Sequence, residues 1–176
     1  MDKGREIVHE LSKSFEMKVM FKPKLFLGVE ISVHGENRVM NQSTYIWKLA
    51  KRFGIDKTEV IYTPMETRLK LKRTGIRCEY PGLRALIGGL LFVARSTRPD
   101  ILFPVNYLSR FQSEGTKQIF KYALRILRYL VSTVDYSLVY HSDSDESIVA
   151  YVDASFADVQ DTVSYTHLTL PTIYSV

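Results

Sequence analysis

The chain has 176 residues, 45% of them hydrophobic and 24% charged, a composition typical of globular domains and unlike that of disordered or fibrous proteins. It is charged from Asp2 onward and contains no run of 18 apolar residues, so we expect a soluble protein without a signal peptide or membrane span. All 24 Lys and Arg lie at or before Arg128, whereas six of the 19 Asp and Glu follow His141. This basic surplus favours polyanionic partners, nucleic acid before membrane, although a soluble basic protein with no such partner would show the same charge.

The first 55 residues carry patterns for two helices and an antiparallel hairpin. Apolar residues on one side of a charged stretch predict a helix in residues 3–14, and apolar alternation from Leu25 to Ile31 predicts a strand. Gly and Asn in residues 34–37 predict a turn, followed by a return strand at 38–41. The hydroxyl residues at 43 and 44 predict a side-chain cap for a second helix, which Gly54 ends.

The remaining chain changes from helical to strand periodicity. Residues 56–79 show no period and contain a Thr-Pro break, so we interpret them as a loop or linker. The patterns then predict helices at 83–94, 99–111 and 116–131, and strands at 134–141 and 148–153. The predicted fold class is α+β, with a second unit beginning near residue 134.

The third of these helices carries a basic stripe. At 100° per residue, its four cations fall within about 80° of one another, beside an apolar face. A stripe of this kind can follow a phosphate backbone, and each contact releases about one counterion. An ordinary solvated helix face gives the same pattern, so both interpretations stay open. The candidate nucleic-acid-binding residues are Lys117, Lys121, Arg125 and Arg128.

One carboxylate is a candidate metal ligand. Asp153 follows the apolar strand 148–152, where an aspartate can hold a divalent cation, although one Asp after a strand is more often a turn or cap residue. Asp158 and Asp161 are auxiliary at best. The chain contains no adjacent Asp-Asp pair, and its four histidines are scattered.

Several segments carry a family resemblance. In chain order they read LFLGVEI, YIWKLAKRFGI, LIGGLLFVARSTRPDI, NYLSRF, LRILRYLVST and YVDASFA. Together they resemble the Pol polyprotein of copia-type LTR retrotransposons, from the end of the reverse transcriptase into RNase H. The match extends to about Asp161. Residues 162–176 depart from the family pattern, and we interpret them as a non-native tail.

The resemblance implies a role for each segment. Residues 1–55 would be the end of the reverse transcriptase palm, a small antiparallel remnant of that domain. Residues 80–133 would form a helical thumb and connection, and residues 134–161 would begin an RNase H-like domain. Asp153 matches the first RNase H acid, which would be both a catalytic residue and a ligand of Mg²⁺. The polymerase aspartates and the other RNase H acids would lie outside this chain.

The resemblance also implies partners and a parent activity. The partners would be an RNA/DNA hybrid or primer-template, bound through the basic helix face, and the remainder of the Pol polyprotein. The parent activity would be RNA-directed DNA synthesis within a cycle of transposition and DNA integration, located in cytoplasmic virus-like particles or in the nucleus. We expect the chain to be inactive alone. The alternatives are a non-catalytic nucleic-acid-binding remnant and an inert remnant.

Overall fold

The computed structural model describes residues 3–55, 60–72, 75 and 79–142, all of which belong to one unit of the chain, Met1–Ser144. Within these ranges the chain forms five α-helices, a short 3-10 helix and a four-stranded antiparallel sheet. This mixture of helix and sheet agrees with the predicted α+β class. The predicted strand 148–153, Asp153 and the tail 162–176 lie outside the described residues.

The elements follow the order that the sequence predicts, with one exception. The single strand predicted from Leu25 to Ile31 is wrong, because a turn with positive φ at Leu27 and Gly28 divides it into two antiparallel strands. The three helices predicted after residue 80 are present, and a 3-10 turn precedes the second of them. In chain order the elements are α1 (Lys3–Ser12), β1 (Leu25–Phe26), β2 (Val29–His34), β3 (Asn37–Asn41), α2 (Ser43–Arg52), α3 (Leu83–Ser96), the 3-10 helix (Pro99–Ile101), α4 (Leu102–Ser109), α5 (Lys117–Ser132) and β4 (Leu138–Tyr140).

The predicted hairpin forms the centre of the sheet. The strand order is β1-β2-β3-β4, and His34 lies opposite Asn37 across the tight turn between β2 and β3. Gly35 in this turn has a φ of +63°, which glycine adopts without the steric strain of a Cβ atom. The turn prediction at residues 34–37 is confirmed.

The fourth strand completes this same sheet. Val139 in β4 lies opposite Val39 in β3, in antiparallel register. A strand was predicted here, but as the opening of an RNase H-like domain at residues 134–161 and not as a neighbour of β3. Because strands pair through backbone groups, a side-chain pattern predicts a strand without naming its neighbour. The predicted domain boundaries remain a prediction.

The cap of α2 differs from the predicted one. The N-cap residue is Gln42, whose side chain makes no capping bond. Instead, the Glu30 carboxylate of β2 accepts a hydrogen bond from the Thr44 backbone N–H at 2.8 Å and one from the Ser43 hydroxyl at 3.1 Å. The predicted hydroxyl cap is therefore wrong, because a carboxylate from the sheet satisfies the free N–H group more strongly. Burial raises the pKa of Glu30, but these hydrogen bonds outweigh it and lower the pKa below 4.5.

Helices α2 to α5 share one hydrophobic core. α3 approaches α2 closely at Gly89, where a Cβ atom would lie 2.9 Å from Leu49 Cδ1. α5 begins at the Thr116 cap, whose Oγ1 accepts a hydrogen bond from the Ile119 N–H at 3.2 Å. This packing fixes which face of α5 remains outside. The most deeply buried apolar side chains include Ile46, Leu83, Leu86, Leu90, Ile101, Leu108, Ile126, Leu127 and Leu130.

The described part of the predicted linker is held against the helices. Residues 60–72 contain no helix or strand, as predicted, but Ile61 is buried in the core. The Ile61 N–H donates to Ser132 Oγ at 3.0 Å, and the Leu71 N–H donates to the Tyr107 hydroxyl at 2.9 Å. This segment therefore forms a wall beside α5 and α4.

A buried arginine joins the start of the 3-10 helix to the end of α5. Arg98 is 2% exposed, and its Nε and Nη2 donate to the two carboxylate oxygens of Asp100 at 3.0 and 2.8 Å. The same guanidinium donates to the Thr133 carbonyl at 2.8 Å and to Thr133 Oγ1 at 2.6 Å. Burial would raise the pKa of Asp100, but bonds from Arg98 and the Tyr129 hydroxyl hold it below its ordinary value of 3.8.

Candidate nucleic-acid interface

The four predicted basic residues line one groove along α5. Lys117 and Lys121 are exposed, whereas Arg125 and Arg128 are half-buried. The opposite wall is the segment around Ile61, which the core holds in place. The groove has a volume of about 530 Å³ and is lined by Ile61, Glu66, Lys117, Gln118, Lys121, Tyr122, Arg125 and Arg128. We call it the α5 groove.

Arg125 connects the two walls of the α5 groove. Its Nη2 donates to Thr63 Oγ1 at 3.0 Å, and its Nη1 lies 3.8 Å from a carboxylate oxygen of Glu66. Its Nε is buried, and no hydrogen-bond acceptor for it is present in the described part of the chain. The Arg125 guanidinium is therefore partly engaged by Thr63 and Glu66, whereas the two lysines extend into solvent.

The α5 groove offers donors of several kinds to an anion. Lysine ammonium groups bind phosphates as point charges, and a guanidinium binds them through paired N–H groups. Tyr122 adds a ring and a hydroxyl that accepts a hydrogen bond from Gln118 Nε2 at 3.1 Å. Sequence reasoning missed both residues, although their i, i+4 spacing beside Lys121 was a usable signal. It also missed Glu66, because this residue lies outside α5 and the helical period of α5 says nothing about it.

A second basic groove lies where α3 begins and α4 ends. It has a volume of about 380 Å³ and contains two guanidinium groups, two hydroxyls and one amide, all able to donate hydrogen bonds. Arg84 lies 3.7 Å from a carboxylate oxygen of Glu79, through its Nε. This groove could not be predicted from the sequence because its residues come from two separate segments of the chain. They are Arg84, Ser109, Arg110, Gln112 and Ser113.

The described ranges contain no metal centre and no membrane span. Among these residues, no group of three or more His, Cys, Asp or Glu side chains could hold a metal ion. No helix in this part of the chain is long and apolar enough to cross a membrane. Asp153, the predicted metal ligand and catalytic acid, lies outside the described residues.

The relatives of this chain are retroelement proteins. It is 33% identical over 162 residues to the putative transposon Ty5-1 protein of Saccharomyces cerevisiae, covering 88% of this chain and 51% of the relative. It is 33% identical over 153 residues to the retrovirus-related Pol polyprotein from transposon RE1 of Arabidopsis thaliana, covering 86% of this chain and 10% of the relative. An uncharacterized mitochondrial protein of the same plant is 28% identical over 159 residues, covering 89% of this chain and 65% of the relative.

These relationships define the class of the protein. The chain is homologous to retrovirus-related Pol polyproteins. The homologous polyproteins belong to transposons of the copia type, which is the resemblance inferred from the sequence motifs. No family model matches the chain, and no solved structure matches it.

The chain spans only part of the curated relatives it matches. It covers between 10% and 13% of the Pol polyproteins, but 51% and 65% of the yeast transposon protein and the plant mitochondrial protein. Related sequences therefore occur both inside long polyproteins and in much shorter proteins.

Proposed function

We propose that this chain is the segment of a copia-type Pol polyprotein in which the reverse transcriptase ends and RNase H begins, and that it binds nucleic-acid backbones through the α5 groove. The observation that carries the proposal is the alignment of four cations along one helix, facing a wall formed by residues 61–66. A positive groove with a fixed wall can hold a strand by its phosphates without reading its sequence.

The remainder of the Pol polyprotein is the second proposed partner. Large apolar side chains between α1 and β2 are exposed, including Phe15, Phe21, Leu25, Phe26 and Leu27. Exposed apolar surface of this extent is typical of an interaction face. The homology to long polyproteins supports another Pol segment as the partner that packs on this face. This agrees with the expectation that residues 1–55 are a remnant of the palm.

The α5 groove is tested by removing its two exposed cations. Lys117→Gln with Lys121→Gln keeps both side chains long and leaves the Arg125 contacts in place. We expect weaker binding to an RNA/DNA hybrid for every sequence, and a salt dependence of log K that is shallower by about 1.8, or 0.9 for each lost phosphate contact. Fluorescence anisotropy across a salt series measures both quantities.

A matched control separates the groove from total charge. Lys48→Gln with Arg52→Gln removes two exposed cations with the same i, i+4 spacing from α2. This control should shift the slope much less than the α5 pair. Equal slopes in the two double variants, or an unchanged slope in the α5 pair, would show that the α5 face is merely solvated.

The catalytic part of the proposal concerns the complete polyprotein. We propose RNA-directed DNA synthesis and RNase H cleavage as the parent activities, with Asp153 as one carboxylate ligand of Mg²⁺. The ion would supply charge stabilisation at the scissile phosphate. Asp153 alone would hold it weakly, because Mg²⁺ keeps most of its waters unless further carboxylates or phosphates replace them.

A non-catalytic binding protein is the alternative proposal. The two shorter relatives favour it, since related sequences are found outside long polyproteins. Primer extension and RNA cleavage by a Pol polyprotein rebuilt around this sequence would distinguish the proposals. Activity of that polyprotein supports the enzyme segment, and hybrid binding without activity supports the alternative.

A further inference from the structure

Three aromatic side chains form a ladder along α4 and the turn that follows it. They follow at intervals of four residues, and their exposure rises from buried Phe111 through half-buried Tyr107 to Phe103, which is 67% exposed. The Phe103 and Tyr107 rings are nearly parallel, with an angle of 14° and centroids 6.3 Å apart. Tyr107 and Phe111 meet edge-on at 5.6 Å. The ladder therefore runs from the core to solvent and ends in an oriented, exposed ring.

Two lysines emerge beside this ladder. In residues 69–72 the leucines are half-buried and Lys70 and Lys72 are exposed, the alternation of an extended segment. The Leu71 N–H between them donates to the Tyr107 hydroxyl at 2.9 Å. Because Tyr107 also contacts the Phe103 ring, it ties the lysine segment to the aromatic ladder. α4 itself, LFPVNYLS, contributes no acidic residue that would neutralise the lysines.

We propose that Phe103, Lys70 and Lys72 form a binding site for single-stranded nucleic acid. A base stacks on the exposed ring of Phe103, while the lysines bind the phosphates of neighbouring nucleotides. Stacking platforms beside cationic segments bind single strands with little sequence preference, since every base has a flat face. Alternate residues of an extended segment are about 6.6 Å apart, so the two ammonium groups can contact different phosphates.

This site is distinct from the α5 groove. The two share no lining residue, and their chemistry differs, because the α5 groove offers four cations along a helix whereas this site ends in an exposed ring. A duplex keeps its bases stacked on each other, so Phe103 selects unpaired nucleotides. The proposal does not depend on the function proposed for the α5 groove.

The test measures binding of the full chain to a fluorescein-labelled oligo(dT) of about 15 nucleotides, long enough for one site of this kind. Phe103→Ala should raise Kd at least about fivefold, the lower end of what loss of one stacked base produces. Lys70→Gln with Lys72→Gln should make the salt slope shallower by about 1.4, or 0.7 for each phosphate of a single strand. Phe103→Trp should keep the affinity, and its added emission should be quenched by the oligonucleotide.

Two matched controls accompany these variants. Tyr140→Ala removes a ring that is 56% exposed, and Lys22→Gln with Lys24→Gln removes two exposed lysines with the same i, i+2 spacing. Both should bind oligo(dT) as the parent chain does. An unchanged Kd in Phe103→Ala, a loss equal to that of the Tyr140 control, or unquenched Trp emission would overturn the proposal.

The α5 variants keep the two proposals separable. If Lys117→Gln with Lys121→Gln weakens hybrid binding while Phe103→Ala leaves oligo(dT) binding unchanged, only the single-strand site is refuted. If Phe103→Ala weakens oligo(dT) binding and the α5 pair leaves hybrid binding unchanged, the single-strand site stands and the α5 groove is refuted.

Discussion

Replacing Arg98 by methionine should destabilise the protein by about 3 kcal/mol, because it removes one partner of a buried ion pair. Methionine keeps most of the apolar stem, so the change isolates the guanidinium. Four hydrogen bonds are lost, two to the Asp100 carboxylate and two to Thr133. The connection between the 3-10 helix and the end of α5 would then rest on apolar contacts and on the Tyr129 hydroxyl bond to Asp100 at 2.8 Å.

The structure determines where within the usual range this loss should fall. Breaking a buried pair typically costs about 3–5 kcal/mol. The Asp100 side chain is 37% exposed and keeps its bond from Tyr129, so water and that hydroxyl offset part of the loss. We therefore expect the lower end, which corresponds to a drop in Tm of roughly 6–12 °C at about 2–4 °C per kcal/mol.

Urea and thermal unfolding, followed by far-UV circular dichroism, measure the effect. Arg84→Met is the matched control, because Arg84 is 64% exposed and its carboxylate partner lies 3.7 Å away. It should cost less than about 1 kcal/mol. A loss in Arg98→Met no larger than that of the control would refute the reasoning, since the buried network would then contribute nothing beyond a surface pair.

The same network predicts a pH dependence. The folded pKa of Asp100 is lowered, so its contribution to stability is complete above its ordinary value of 3.8 and is lost as the pH falls below it. The parent chain should lose more unfolding free energy than Asp100→Asn between about pH 5 and pH 3. Parallel pH profiles for the two proteins would contradict the assigned role of the carboxylate.

Three substitutions and one activity assay test other parts of the protein. Glu30→Gln should lower stability by about 1 kcal/mol at pH 7, because an amide caps α2 less well than a carboxylate, and the difference should shrink below pH 4.5 in urea titrations. Gly88→Ala should stabilise α3 by roughly 0.5–1 kcal/mol, because its Cβ meets nothing within 4 Å. Gly89→Ala, pressed against Leu49, should have the lower Tm of the two alanine variants. The purified chain with Mg²⁺ should neither extend a primer nor cut a hybrid, since both reactions need several carboxylates; turnover that Asp153→Asn abolishes would refute this.

Local patterns in the sequence predicted most of the fold, and long-range contacts explain the differences. The hairpin at residues 34–37 and the helices after residue 80 depend on periodicity and turn residues close together in the chain. The Glu30 cap of α2 and the pairing of β4 with β3 depend on residues that only the folded chain brings together. No local preference distinguishes Glu30 from any other carboxylate in a strand.

The candidate site likewise combines local features, which the sequence predicted, with long-range contacts, which it did not. Lys117, Lys121, Arg125 and Arg128 belong to one helix, so the helical period alone predicted that they would share a side. The wall that makes their face a groove comes from residues near Glu66, and it is held there by the Ile61 and Arg125 hydrogen bonds. The ladder ending at Phe103 was missed because its spacing of four also fits an ordinary core stripe.

The pairing of β4 with β3 has a consequence for how the protein folds during synthesis. The Asn41 side chain donates to the Ser137 hydroxyl across 96 residues, a separation that makes the closing of the sheet entropically expensive and slow. The ribosome releases β3 well before β4, so a nascent chain carries an open strand edge while all four core helices are being made. Open edges template pairing between chains. The yield of native protein should therefore depend on how quickly the helical core forms and returns β4 to that edge.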